Sequence, residues 1–305
     1  LNAIAYNWHR QELLDPLNGL ADLQKGLIKM VSPANLKDDP LRLLRAYRQA
    51  AQLNFTIEPE TRKTIRSFSG LIERVAPERV QTELNYLFFE PQGSSSLIAA
   101  GEDGLLQPWL VELDRAKFEQ LEKTNSIAYS LAKKYHTSIF NQPHLLSLTR
   151  LATLVSQAPE KAELELLNLR YSRKHLRLVL GVVKYLPQLQ SLTTQLTVRE
   201  QYFFFLATKE FFPILVIRAI ATGVELQLIN NLLENYLDSH CQIAHPQPLV
   251  TGKDLIKNLQ LKPSPLIGEL LTEIQIARAE NKIKTAREAL QFASYLLKTN
   301  HDAKS

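Results

Sequence analysis

Three marked helix starts in quick succession constrain this chain more than any other feature. Asp39-Pro40, Glu58-Pro59-Glu60 and Ala76-Pro77-Glu78 set proline at the opening of a helix, with acids beside the positive end of its dipole. Behind each start runs an amphipathic segment: "DDPLRLLRAYRQAAQL", "EPETRKTIRSFSGLI" and "APERVQTELNYLFF". The pattern persists as far as "KTAREALQFASYLLK" near the end, so everything from Leu36 onward reads as helical and the chain as mainly α.

The first thirty-odd residues differ. "LNAIAYN", polar "WHRQ" and "ELLDP" read as two short strands around a turn, "NGLADLQKG" as a turn and about two helical turns, and "LIKMV" as a further strand. Softer joints rich in Pro, Gly or Ser lie at Glu90–Ser96 and Ala244–Gly252, with a weaker one near "SLTTQLT". The expected organisation is a short α/β remnant over 1–34 and helical segments over 35–92, 93–200 and 201–305.

Hydrophobic residues make up 45% of the chain and only 10 of the 305 residues are glycine, which argues that most of it folds. A net charge of +5 permits contact with nucleic acid or anionic lipid without requiring it. Cys241 stands alone, which excludes a disulfide framework and fits a reducing cytoplasm. The most apolar run, "FFPILVIRAIATG", is interrupted by Arg218 and is shorter than the ~20 residues of a spanning helix, so it reads as a buried helix and no membrane segment is expected. The opening residues lack an initiator Met and a basic signal region, and the sequence is expected to be the interior of a larger protein.

Asp39, Arg42, Arg45 and Arg48 are spaced three apart and trace a shallow spiral along one helix. Two readings compete. In one, Asp39 caps the helix and pairs with Arg42 while the other arginines stay solvated. In the other the acid and base form a protein template. Cytosine and adenine present an exocyclic amino donor beside a ring-nitrogen acceptor, whereas uracil and guanine present a carbonyl beside a ring N–H. A fixed carboxylate with a guanidinium therefore accepts C and A and rejects U and G, because a mismatch leaves buried polar groups unpaired. Arg45 and Arg48 would then hold the triphosphate.

"NAIAY", "DPLNGLADLQKG", "DDPLRLLRAYRQAAQLNFTIEPET" and "PERVQTEL", in this order, resemble the class II tRNA nucleotidyltransferases, the CCA-adding enzymes and their poly(A) polymerase relatives. The segment from Pro248 to Leu290 resembles the tail of that family, and the stretch between is less similar. The resemblance implies a helical neck, body and tail behind a scrap of catalytic head, with tRNA, CTP and ATP as partners. It places the nucleotide-selecting pair on Asp39 and Arg42, further nucleotide contacts on Arg45 and Arg48, and a supporting element on Glu78, Arg79 and Glu83. The family hinge falls on Asp15, Pro16, Gly19 and Asp22, with Asn18 where glycine is usual; asparagine tolerates left-handed backbone, so the turn is expected to survive.

In the family, two head-domain carboxylates bind Mg2+ for the transfer step, and the resemblance finds neither them nor the preceding Gly-Gly loop in this sequence. The chain alone is accordingly expected not to lengthen tRNA. Phosphohydrolase relatives carry a His-Asp pair where "RLATLVSQAP" has Ser156 and Gln157, which implies a structural body. His136, His144 and His175 read as solvated or capping residues, and His240, Cys241 and His245 as a weak metal candidate beside a Pro-rich joint. Thr251 and Asp254 have capping-box spacing. Lys253, Arg173, Lys174 and Arg177 are candidate contacts for the tRNA backbone or plain solvated charges. The alternative to a nucleotidyltransferase is a non-catalytic helical RNA-binding protein.

Overall fold

The computed structural model describes residues 4–302, with side chains as far as Thr299. Leu1–Ala3, which begin the first expected strand, lie outside the described residues. The rest of that strand and its partner form an antiparallel hairpin of β1 (Ala5–Asn7) and β2 (Glu12–Leu14), with Tyr6 opposite Leu13. There follow α1 (Gly19–Gln24), β3 (Leu27–Ile28), α2 (Pro33–Asp38) and α3 (Leu41–Leu53).

Two expectations need correction. The strand read into "LIKMV" is only β3, because the Met30 N–H donates to Thr61 Oγ1 at 3.0 Å and Ser32 already caps α2. The chain beyond Leu36 is not all helical: β4 (Thr56–Ile57) pairs parallel with β3, Leu27 opposite Thr56. A two-residue pairing set by a distant partner leaves no periodic trace in sequence.

The α-helices that follow are α4 (Pro59–Ser67), α5 (Pro77–Phe89), α6 (Gly93–Glu102), α7 (Arg115–Lys134), α8 (Pro143–Leu154), α9 (Pro159–Asn168) and α10 (Arg173–Gln190), with short 3-10 turns at Ser69–Arg74 and Ile139–Asn141. After them come α11 (Val198–Thr208), α12 (Phe212–Ala221), α13 (Leu226–Leu237), α14 (Gly252–Leu259), α15 (Pro265–Ala279) and α16 (Ala286–Asp302). The chain is thus mainly α, as its periodicity implies.

Two compact units are present. The first comprises the residues up to Gln190 together with Pro213–Val224, so neck and body segments share one unit. Its core runs from α3 through α5 and α6 to α7, α8 and α10. The buried helix expected at "FFPILVIRAIATG" is α12, where Ile214, Leu215, Val216 and Ile217 are buried and the Arg218 guanidinium donates to Gln120 Oε1 at 2.8 Å. Burial holds the Arg218 guanidinium down to about 10. The second unit comprises Ser191–Phe212 and the residues from Glu225 onward. Leu255, Leu270, Ile274, Ala277, Ala289 and Ala293 of α14, α15 and α16 form an apolar core there. No helix among the described residues is long and apolar enough to cross a membrane.

Candidate nucleotide site

Helix α3 buries Leu43, Leu44, Ala46, Tyr47, Ala50 and Ala51, and that apolar face decides where its charged residues point. It packs on α5, whose Val80, Leu84 and Leu87 are buried. Glu83 lies between them, 4% exposed. Its Oε2 is 2.6 Å from Arg48 Nε and its Oε1 is 3.4 Å from Arg45 Nε. Neither Nε–H is aimed for hydrogen bonding, so these are close ion pairs. The Arg48 guanidinium also lies over the Tyr86 ring, 5.4 Å from its centroid. Arg45 and Arg48 are therefore not the solvated charges of the first reading.

Asp39 does not cap α3. Pro40 occupies the N-cap position without a side-chain cap, and the first-turn N–H groups of Arg42 and Leu43 donate instead to the carbonyls of Asp39 and Pro40, both at 3.0 Å. The carboxylate is thus left for charged partners. Arg79 Nη2 donates to both of its oxygens at 3.3 Å, and Arg42 Nε lies 3.8 Å away. Arg42 Nη1 also donates to the Asn35 carbonyl at 3.2 Å, which ties its guanidinium to α2.

A cavity of about 730 Å³ opens beside α3. Arg42, Arg45 and Gln49 line one side, at the spacing of a single helix face, and Gly19, Asp22 and Lys29 line another. Asp39 and Arg48 are not among its walls; each stands beside a wall arginine, Asp39 by Arg42 and Arg48 across Glu83 from Arg45. Gln49 and Lys29 escaped the sequence reading, although the seven-residue step from Arg42 to Gln49 was open to inspection.

The hinge residues form a built turn. Asp15 accepts from the N–H groups of Gly19 at 2.6 Å and Leu20 at 2.8 Å, satisfying the start of α1. Asn18 is left-handed, with φ 56° and ψ 33°, as its side chain allows. Gly19 sits in close quarters: an added Cβ would stand 3.0 Å from Ile4 Cγ1 and 3.2 Å from Asp15 Oδ1, so those side chains would have to give way.

The supporting trio divides. Glu83 and Arg79 engage the α3 region, but Glu78 pairs with Arg170 at 3.5 Å, away from the site, because it projects from a different face of α5. A second support, absent from the sequence reading, holds α3 from its buried side. Asp103, 1% exposed, accepts from the Tyr47 hydroxyl, from Arg62 Nε at 2.6 Å and from Arg66 Nη2 at 2.5 Å. Burial pushes its carboxyl upward, yet these donors together hold it below the usual carboxylate range. No local signal marks it, since its partners are 37 to 56 residues away. Arg150, 1% exposed, likewise ties α8 to the end of α5 by donating to the Glu90 carbonyl at 2.7 Å and to Asn125 Oδ1 at 2.8 Å.

Where phosphohydrolase relatives carry metal ligands, the Ser156 N–H donates to Glu165 Oε2 at 2.7 Å and its hydroxyl to Glu112 Oε2 at 2.6 Å. Lys161 and Ser156 hold the Glu112 carboxyl down to about 2. Buried Lys117 donates to the carbonyls of Leu154 and Val155 at 3.0 and 2.8 Å, completing a fixed polar junction. Among the described residues no group of three His, Cys, Asp or Glu is placed to hold a metal, and His245 is instead 2.7 Å from the Tyr236 carbonyl. Arg173, Lys174 and Arg177 are exposed at the start of α10 in the first unit; Lys253 is exposed in the first turn of α14 in the second.

Residues 142–293 match the family described as tRNA nucleotidyltransferase domain 2, putative, and residues 54–117 match the probable RNA and SrmB-binding site of polymerase A. The fold is shared with a CCA-adding enzyme solved with CTP, at a TM-score of 0.74 and 19% identity over 97% of this chain and 70% of that one. It is shared too with the Thermotoga maritima CCA-adding enzyme complexed with tRNA, at a TM-score of 0.68 and 18% identity over 93% and 68%. The A-adding tRNA nucleotidyltransferase of Deinococcus radiodurans is 29% identical over 96% of this chain and 76% of its own length. The CC-adding tRNA nucleotidyltransferase of Synechocystis sp. is 46% identical over 98% of this chain and 74% of its own length. Identity at that level, sustained almost from end to end, means that the chain belongs to the tRNA nucleotidyltransferases.

Proposed function

We propose that this chain serves tRNA 3'-end maturation by selecting CTP and/or ATP for template-independent addition to the tRNA terminus and by holding the tRNA. One observation carries the reading: the Asp39 carboxylate is released from helix capping and clasped by Arg79, beside an Arg42 that lines a cavity. Asp39 accepts from the exocyclic amino group of C or A and Arg42 donates to the adjacent ring nitrogen. U and G offer a carbonyl to the carboxylate and an N–H to the guanidinium, and both are repelled or left unpaired. Arg45, with Arg48 behind it, receives the triphosphate. Gly19 and Asp22 line the same cavity, held there by the turn at Asp15 and Pro16, and Arg173, Lys174, Arg177 and Lys253 meet tRNA phosphates.

The 46% identity to a CC-adding enzyme favours CTP as the nucleotide. A lone cysteine fits a cytoplasmic setting. Mg2+ would serve the transfer step, but among the described residues no cluster of His, Cys, Asp or Glu fits such an ion.

Equilibrium titration of the chain with CTP, ATP, UTP and GTP tests the reading. CTP or ATP should bind in clear preference to UTP and GTP, and Asp39→Ala or Arg42→Ala should erase roughly tenfold or more of the preference. Equal affinity for all four nucleotides in the unsubstituted chain would remove the template.

A further inference from the structure

The outer face of α5 carries a strip that leads away from the nucleotide site, beginning at the Arg79 that clasps Asp39 and passing Tyr86, one face of which is covered by the Arg48 guanidinium. Arg79, Thr82, Tyr86 and Phe89 recur at three- and four-residue steps and are all exposed, which aligns them along one side of the helix. Both rings are about half exposed, Tyr86 at 49% and Phe89 at 45%. One end of the strip is the arginine that clasps Asp39. At the other end Phe89 lies 6.2 Å from the exposed ring of His144, His144 lies 6.4 Å from His175, and exposed Arg173 and Lys174 adjoin His175 in the chain. The Tyr171 hydroxyl anchors this far end to α5 through Asn85 Oδ1 at 2.9 Å.

We propose that this strip seats the single-stranded 3' end of the RNA, with bases stacked on Tyr86, Phe89 and His144 and phosphates met by Arg79, Arg173 and Lys174. The inference rests on the tRNA reading above and assigns it a track. A run of aromatic faces with cations at both ends suits unpaired bases on a phosphate backbone, since every base has a stacking face and every linkage a charge. The length agrees: the ten helical steps from Arg79 to Phe89 span about 15 Å, room for roughly four stacked nucleotides. The track also ends at Asp39, where the terminal nucleotide must lie to meet an incoming one.

Fluorescence anisotropy with two acceptor-stem minihelices, one blunt and one with four unpaired 3' nucleotides, tests the assignment. Tyr86→Ala and Phe89→Ala should each weaken binding of the overhang minihelix about tenfold and leave the blunt one within about twofold. Phe89→Leu keeps an apolar side chain and should weaken the overhang minihelix as well, because the aromatic face is lost. A 2-aminopurine placed in the overhang should be quenched by the unsubstituted chain. Equal losses on both minihelices, or none on either, would overturn the track while leaving tRNA binding intact. Failure of the unsubstituted chain to bind either RNA would overturn the tRNA reading along with it.

Discussion

Glu83 Oε2 stands 2.6 Å from Arg48 Nε, and the same carboxylate reaches Arg45, so one buried acid from α5 sets two arginines of α3. Arg48 is itself mostly buried, and removing its partner leaves a guanidinium in a poorly solvated place. Glu83→Ala should lower the stability of the first unit by about 3 kcal/mol in urea unfolding. It should also weaken CTP binding, whereas Arg45→Ala, at a half-exposed position, should cost no more than about 1 kcal/mol of stability.

Arg79 separates selectivity from stability. Its side chain is half-exposed and its contact with Asp39 is worth at most about 1 kcal/mol to the fold. Arg79→Ala should therefore leave the unfolding midpoint nearly unchanged while reducing the CTP-over-UTP preference in nucleotide titration. Arg79→Lys should restore a substantial part of that preference, since a single nitrogen of Arg79 makes both contacts and an ammonium also carries several donors on one nitrogen.

Acid should loosen α3 through Asp103. Its folded-state value lies below the ordinary carboxylate range, so its contribution is in place above about pH 4 and is lost as pH falls through the lowered value. Asp103→Asn should cost roughly 3 kcal/mol at neutral pH and flatten the fall in stability below pH 4, followed by thermal unfolding across pH. Tyr47→Phe should cost less, about 1 to 2 kcal/mol, because Arg62 and Arg66 still hold the carboxylate.

Arg150 is a buried cation held by backbone carbonyls. Burial draws its guanidinium down to about 10, so it remains charged at neutral pH while donating to backbone carbonyls at the end of α5. Arg150→Met fills the space but strands those carbonyls, and should destabilise the unit by about 3 kcal/mol or more in chemical unfolding.

Thr251 opens α14 with a reciprocal cap: its hydroxyl accepts from the Asp254 N–H at 3.3 Å and Asp254 Oδ2 accepts from the Thr251 N–H at 2.8 Å. Thr251→Ala should cost about 1 kcal/mol and raise hydrogen exchange within α14 while leaving α3 unaffected.

What could be read in advance was local. The cap at Thr251, the left-handed turn at Asn18 and the buried helix around Arg218 each rest on neighbours within a few residues, where propensity and spacing speak directly. Asp39 showed the limit of that reasoning, because capping and charge pairing use the same carboxylate and only the position of Arg79, forty residues on, decides between them. Asp103, Arg150 and the β3–β4 pairing depend wholly on distant partners, and nothing in their own segments announces them. Glu78 looked like a member of the supporting trio by resemblance, and its pairing with Arg170 depends on where α5 meets the chain after α9.

Around α3 and α5, Arg42, Arg45, Arg48 and Arg79 share Asp39 and Glu83 as their ion-pair partners among the described residues. The region is left with a local positive surplus even when every ion pair is made. Such a surplus repels itself, and an arriving polyanion relieves it, so a molecule bearing several phosphates should tighten this corner as it binds. Rising salt should mimic that relief and, for the same reason, compete with it.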